Sequence, residues 1–273
     1  IRGPFRSKLA ADVLGEAAEL IADGAVELNI IAQDTTSYGS DLDEIDLAGL
    51  IRQLDSIDGA TWIRLMYTYP RRFTDDLVRA ISECNHVVPY VDMPLQHISD
   101  SVLRRMGRKV KRERIEALLN ALRDAGVAIR TTFIVGFPGE TQSEFDELLE
   151  FVKEFEFDAM GVFAYSPEPG TPAATMADQI PDDVKAQRVE QMMVAQQEIA
   201  FAVNQDAVGQ LVDVLVDGLD AQGRCIGRHA GQAPEIDSLC ILTEPRQAGE
   251  MLTAEVVGSD GYDLVVTPCS DSQ

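Results

Sequence analysis

Closely spaced cysteines are missing from this sequence. Cys84, Cys225, Cys240 and Cys269 are scattered along 273 residues, so neither a disulfide framework nor a metal knuckle is written in the chain. Buried or idle thiols in a reducing compartment are the plainer reading. Long apolar runs are missing too: none approaches the roughly 18 residues that a membrane span needs. With no signal peptide to read, the expected location is the cytoplasm. Positive charge is scarce, 23 Lys and Arg against 46 Asp and Glu for a formal net of -23. Such a field repels nucleic acid at long range and favours basic partners. No Walker loop, GxGxxG turn, HExxH pair, Ser-His-Asp set or Asp-rich metal cluster is found. Of the three histidines, His86 and His229 carry no signal. His97 follows Gln96 at a strand end and has no second ligand at metal spacing, so it reads as a loop residue bonded to backbone.

What is present is a regular alternation. Apolar runs rich in Val, Ile, Phe and Tyr cover Ala25 to Asp34, Thr61 to Pro70, Val87 to His97, Ala128 to Gly139 and Ala159 to Gly170, the recurrence of a βα unit. Amphipathic helices lie between them. Thr141 and Glu144 spell a capping box ahead of Phe145, Leu148, Leu149 and Val152, and Ile115, Leu118, Leu119 and Leu122 repeat the spacing before a stop at Gly126. Pro181, Asp182 and Asp183 open a long helix to about Asn204. The predicted class is therefore α/β, with a parallel sheet or (β/α) barrel over residues 1–204. From Gln205 the helical period vanishes and short strands alternate with Gly and Asp turns, predicting a small all-β, OB-like barrel over 205–273.

In such folds function collects at the carboxyl ends of the strands, and here those ends are polar: AQDTTSYG, YTYPRRF, PLQHIS, VGFPGET and AYSPEPGTPA. Gly136, Pro138 and Gly139 make a tight turn into the helix capped by Thr141, and such a turn also lets a ligand approach backbone N–H groups. The basic run RRMGRKVKRER, Arg104 to Arg114, reads first as the solvated faces of two helices, its stems covering apolar surface; the other reading is a rim that holds an anion such as a carboxylate. The residues by themselves imply a βα enzyme with a strand-end pocket and a β-barrel appendage. They do not name a reaction.

Taken together and in order, IRGPFRSK, LNIIAQDTTSYG, YTYPRRF, VDMPLQHISDSVLRRMGR, FIVGFPGET and VFAYSPEPGTPA resemble the blocks of the radical S-adenosylmethionine methylthiotransferases, most closely their RimO type, which modifies an aspartate of a small-subunit ribosomal protein. GRHAGQAPEID is similar to that family's C-terminal TRAM barrel. The resemblance implies a partial TIM-type (β/α) radical SAM barrel followed by the TRAM barrel, with S-adenosylmethionine and [4Fe-4S] clusters as cofactors. In that family IRGPFRS lies just after a C-x3-C-x2-C loop that holds a cluster, and an N-terminal domain holds a second. None of the four cysteines matches those positions, so no metal ligand is expected here. The cluster loop, the first barrel strand and the N-terminal domain are expected to lie upstream, leaving this stretch alone inactive and its barrel edge exposed.

By the same resemblance Gln33, Asp34, Gln96, Arg130, Thr132, Val135, Gly136, Phe137, Pro138 and Gly139 sit where the S-adenosylmethionine pocket forms, polar groups toward the aminocarboxyl and ribose, the apolar FIVGFP stretch toward adenine. Tyr38, Tyr67 and Tyr165 are weaker candidates for the substrate side, and no catalytic side chain is assigned. Charge bears on the substrate. From Gln205 onward twelve acids face three bases, a formal net of -9, the wrong sign for gripping tRNA phosphates and the right one for a basic ribosomal protein. A tRNA adenosine enzyme of the MiaB kind, and a cluster-free βα enzyme or protein-binding module, are the alternatives.

Overall fold

The computed structural model describes residues 5–42 and 45–269. Ile1 to Pro4 of the IRGPFRSK block and Asp271 of the acid count lie outside the described residues. Five strands, β1 (Glu27–Ile30), β2 (Trp62–Leu65), β3 (Val87–Asp92), β4 (Ala128–Val135) and β5 (Ala159–Ala164), pair in parallel in sequence order, the sheet of a partial (β/α) barrel. All five end short of the apolar runs that announce them, because the last residues of each run fold into the strand-end loops. Helix α1 (Ala10–Ala22) precedes the sheet, and α2 (Leu47–Asp55), α3 (Asp75–Glu83), α4 (Asp100–Arg105), α5 (Arg112–Asp124), α6 (Gln142–Phe155) and α7 (Asp182–Asp206) fill the connections.

Alternation along the strands sorts the side chains. Leu28, Ile63, Leu65, Val91, Ile129, Phe133 and Val135 pack with Leu50, Ile81, Leu119 and Leu148 of the helices into one core. The helix signals act as the sequence implies. Thr141 Oγ1 accepts from Glu144 N while the Glu144 carboxylate accepts from Thr141 N, closing the capping box. Ile115, Leu118, Leu119 and Leu122 are buried, and Gly126, at φ +73°, turns the chain out of α5.

Beyond α7, strands β6 (Leu211–Leu219), β7 (Cys225–His229), β8 (Cys240–Leu242), β9 (Met251–Asp260) and β10 (Asp263–Pro268) close into a small barrel in the order β10-β8-β7-β6-β9. Its interior is Val214, Val216, Leu242, Val256, Leu264 and Val266 together with the thiols of Cys225 and Cys240. None of the four cysteines is in a disulfide, and burial pushes the Cys240 thiol up to about 12.

The other face of the sheet carries charge, and the small barrel closes over part of it. Glu27 of β1 accepts from Arg64 Nε of β2 at 2.7 Å and pairs with Arg228 Nη2 of β7, also at 2.7 Å; Arg228 donates to Asp217 from Nε and from the same Nη2. Arg64, fully buried, also donates to Ala230 O and stacks over Tyr90, its carbon 4.7 Å from the ring centroid. Tyr90 Oη donates to Asp237, and Arg130 bridges Asp237 and Asp92 at 3.1 and 2.8 Å. Trp62, Met66, Val88 and Tyr90 pack against Leu215 and Ala233 beside these ions. Charges this buried are tolerable only when each has a partner. Replacing Glu27 with Ala leaves two buried guanidinium groups short of a counterion and is expected to lower the unfolding free energy in urea by about 3–5 kcal/mol. Glu16→Ala, which removes the exposed pair with Lys8, is expected to leave it nearly unchanged; equal effects would contradict the assignment.

Candidate active site

The loop after β1 is organised by its own acid. Asp34 Oδ1 accepts from Thr36 Oγ1 and Asp34 Oδ2 from Ser37 Oγ, each at 2.5 Å. Thr35 ties the same loop to the end of β2, Oγ1 donating to Met66 O and N donating to Tyr67 O. Gln33 stays exposed and lines a cavity of about 740 Å³ with Phe5, Lys8, Ile31 and Tyr38. Tyr67 and Gln96, after β2 and β3, both adopt left-handed backbone, φ 53° and 73°, which costs a non-glycine residue about 1 kcal/mol or more. Each is held there by hydrogen bonds. Tyr67 N donates to Asp92 Oδ2 at 3.3 Å, while Gln96 donates from N to Thr132 O and accepts at O from Ile134 N. Backbone strain of this kind concentrates at functional sites, and here it falls on two adjacent strand ends.

On β4 and β5 the face away from the helices carries Arg130, Thr132, Ile134, Gly161 and Phe163. A methyl group added at Gly161 would lie 3.7 Å from Thr132 Oγ1, 3.9 Å from Phe163 and 4.0 Å from Arg130 Nη2, so these groups share one surface around a missing side chain. Arg130 spends Nε and Nη1 on Asp237 and Asp92. Ile31, Tyr67 and Phe163 expose 61%, 49% and 62% of their surface at the ends of β1, β2 and β5, an unusual outlay of apolar area on a strand-end rim. Asn29, two residues from Glu27 and on its side of the sheet, has a buried Oδ1 with no partner among the described residues. Sequence reasoning passed over it. The alternation of ELNI, which sets Asn29 beside Glu27 and opposite Leu28, was the available signal.

The VGFPGET turn is built differently from a ligand-ready loop. Gly136 N and Phe137 N both donate to Glu140 Oε2, at 2.9 and 3.2 Å, and Glu140 Oε1 accepts from Arg188 of α7 at 2.7 Å. The turn's amides are therefore filled by the chain's own carboxylate. Gly136 has φ +73°, and a side chain there would collide with the Lys185 stem of α7, so both conformation and the neighbouring helix favour glycine. Phe137 is buried and meets the Tyr165 ring edge-on, centroids 5.0 Å apart. Pro138 is buried behind it and Gly139 donates to Asp178 O. Val135 points into the helix-side core. The predicted residues thus fall into two groups. Gln33 and Gln96 lie in strand-end loops, Arg130 and Thr132 share one face of β4, and Asp34 is occupied within its own loop, whereas Val135, Gly136, Phe137, Pro138 and Gly139 pack beneath α7 and α6 or support the loop.

His97 is fully buried; its Nδ1 accepts from Ser99 N, which leaves Nε2, 3.8 Å from Glu140 Oε2, as the protonated nitrogen. Burial, aided by Arg105 and Arg188 and opposed by Glu144, pushes its pKa down to about 3. Among the described residues no group of His, Cys, Asp and Glu could hold a metal ion.

A sheet of this order, with polar loops gathered at its carboxyl edge, finds its counterpart among known proteins. The family profile of the radical SAM superfamily matches residues 1–152. The chain belongs to the radical SAM superfamily. The profile of the TRAM domain matches residues 208–268. The ribosomal protein uS12 methylthiotransferase RimO of Anaeromyxobacter sp. (strain K) is 47% identical over 271 residues, covering 97% of this chain and 58% of the relative; that of Clostridium tetani is 42% identical over 277 residues, covering 100% and 62%. The chain thus spans about three fifths of the length of these relatives. Among solved structures, the radical SAM enzyme HemN of Escherichia coli aligns with a TM-score of 0.54 at 17% identity, over 91% of this chain and 60% of that one. The methyltransferase TsrM of Kitasatospora setae aligns at 0.51 and 18%, over 61% and 33%. At such identities the likeness is one of fold.

Radical SAM membership implies S-adenosylmethionine and a [4Fe-4S] cluster. The chain's own thiols do not suit a cluster. Cys225 and Cys240 lie in the small barrel's core, and burial raises Cys84 to about 11, far from the thiolate an iron needs. The face of the sheet away from the helices carries groups of the kind a nucleoside takes: an orphaned carbonyl on Asn29 and apolar Ile31 at the β1 edge, and the Thr132 hydroxyl, room at Gly161 and apolar Phe163 on β4 and β5.

The buried imidazole makes a measurable demand. Because its folded pKa lies below the ordinary 6.5, the unfolded chain binds a proton that the fold excludes, and stability falls as pH drops from 6.5 toward 3. His97→Asn, which keeps an acceptor for Ser99 N, is expected to make urea stability shallower in that window by the slope of one proton, about 1.4 kcal/mol per pH unit. Identical slopes would contradict the buried neutral imidazole.

Proposed function

We propose that this chain is the S-adenosylmethionine-binding core and C-terminal barrel of a methylthiotransferase that adds a methylthio group to an aspartate of the small-subunit ribosomal protein uS12. The observation that carries the reading is 47% identity to a RimO enzyme over 271 residues, 97% of this chain. The two units, residues 1–204 and 205–273, act as one body in the cytoplasm, and the cluster ligands come from outside the chain, without which it is inactive. Bound S-adenosylmethionine supplies a sulfonium whose cleavage is the cofactor's own chemistry. The residues here hold and orient it. Thr132 and the amide of Asn29 meet its polar groups, Gln33 and Gln96 border it, Ile31 and Phe163 exclude water, and Tyr38, Tyr67 and Tyr165 flank the protein substrate.

The small barrel supports a basic partner. Asp217 and Asp237 are neutralised by Arg228 and Arg130, and Arg224 and Arg246 hold Asp220, Asp260, Glu244 and Glu250. Asp206, Asp213, Glu235, Glu255 and Asp263 have no ion pair among the described residues, and all but Asp263 are exposed. That residual acidity attracts a ribosomal protein and repels tRNA from the same surface. The full-length enzyme, reconstituted anaerobically with its clusters, is expected to place a methylthio adduct on uS12 and none on tRNA, as read by mass spectrometry. An adduct on tRNA adenosine would overturn the assignment. Thr132→Val, which removes one hydrogen bond to the cofactor, is expected to weaken S-adenosylmethionine use about 10-fold with the fold intact.

A further inference from the structure

Arg71, Arg104, Arg108, Lys109, Lys111 and Arg114 surround a single cleft of about 590 Å³ between the turn after β2, helix α4 and the start of α5. Asp100 and Glu113 are the acids on its wall. Its charge is unusual for this molecule. Apart from Arg6, Arg72 and Lys153, every described arginine and lysine outside the cleft is ion-paired, among them Arg52, Arg64, Arg79, Arg105, Arg112, Arg123, Arg130 and Arg188. The six in the cleft have no ion pair among the described residues. In a chain with twice as many acids as bases, six cations facing two acids make a local reversal of sign that attracts an external anion.

We infer that this cleft binds the phosphodiester backbone of RNA lying beside the protein substrate, an inference that rests on the ribosomal-protein reading above. A protein substrate that belongs to a ribosome is presented on RNA, and the cleft opens on the same edge of the sheet as the candidate site, since its walls follow the carboxyl ends of β2 and β3. Arg71, Arg104, Lys109 and Lys111 are exposed, long and flexible, suited to tracking a backbone of repeated charge rather than to gripping one carboxylate bidentately. Arg108 lies over the Tyr69 ring, 5.4 Å from its centroid, and Arg114 is anchored on Phe73 O, so two of the cations are pre-positioned. The acidic small barrel would hold the basic protein while this cleft holds the RNA around it, two surfaces of opposite sign reading the two components of one particle.

Binding of a labelled single-stranded RNA to this chain, followed by fluorescence anisotropy over a range of salt, tests the cleft without any need for turnover. The variant Arg104→Ala/Lys109→Ala/Lys111→Ala is expected to bind roughly 10-fold or more weakly, with a logarithmic salt slope shallower by about 2. Lys153→Ala, an exposed base on α6 remote from the cleft lining, is expected to bind as the parent does. Equal RNA affinity of the triple variant and the parent would overturn the inference, as would displacement of the RNA by a poly-glutamate peptide at matched charge. In the full-length enzyme the triple variant is expected to slow modification of uS12 in ribosomal particles and to spare free uS12. If neither form is modified, the proposed activity fails while the RNA-binding result still decides the cleft.

Discussion

The buried ion network between Glu27, Arg64, Arg228, Asp217, Tyr90, Asp237, Arg130 and Asp92 is the constraint on which this structure turns. It joins β1, β2, β3 and β4 to the small barrel through charges that are mostly buried, with Asp217 at the solvent end and Arg130 partly exposed. Ions so placed gain little over a well-packed apolar interface, but they punish any other arrangement, because each misplaced partner leaves a bare charge in a low dielectric. The network therefore fixes where the small barrel sits and what it covers. A ligand on the sheet face must approach from the carboxyl ends of the strands, beyond Arg130 and Asp92.

That surface is in turn held in shape by loops that satisfy themselves. Asp34 collects the hydroxyls of Thr36 and Ser37, and Glu140 collects the amides of Gly136 and Phe137 while Arg188 neutralises it. These acids appear in polar loops, where ligand contact is the natural first reading, but their oxygens are already committed. What remains for a ligand is the set of groups with free valences or free surface: Asn29, Thr132, Ile31, Phe163 and the space at Gly161. Backbone strain at Tyr67 and Gln96 lies on the same edge.

Much of the fold was legible in the sequence because apolar periodicity reports burial directly. The five strand runs, the capping box at Thr141 and the stripe of Ile115, Leu118, Leu119 and Leu122 all correspond to elements in the structure. The buried stripe of α7 was not, since it consists of Lys185, Arg188, Met192, Ala195 and Gln196, a helical spacing that polar side chains conceal. Helix α1 was silent for the opposite reason, burying only Ala17. The site divides in the same way. Gln33, Gln96 and Thr132 could be placed at strand ends, but the pairing of Glu27 with Arg228, some two hundred positions apart, and the inward turn of Gly136 beneath Lys185 depend on tertiary contacts that no local pattern encodes.

A crystal structure of the cluster-loaded full-length protein with S-adenosylmethionine bound is the most direct test of this arrangement. The account predicts the nucleoside on the strand-end face, with Thr132 and Asn29 within hydrogen-bonding distance and Gly161 beneath it, while the ions around Arg64 and Arg228 stay paired. A cofactor seated on the amides of Gly136 and Phe137, or reached through a parted interface between the sheet and the small barrel, would contradict it.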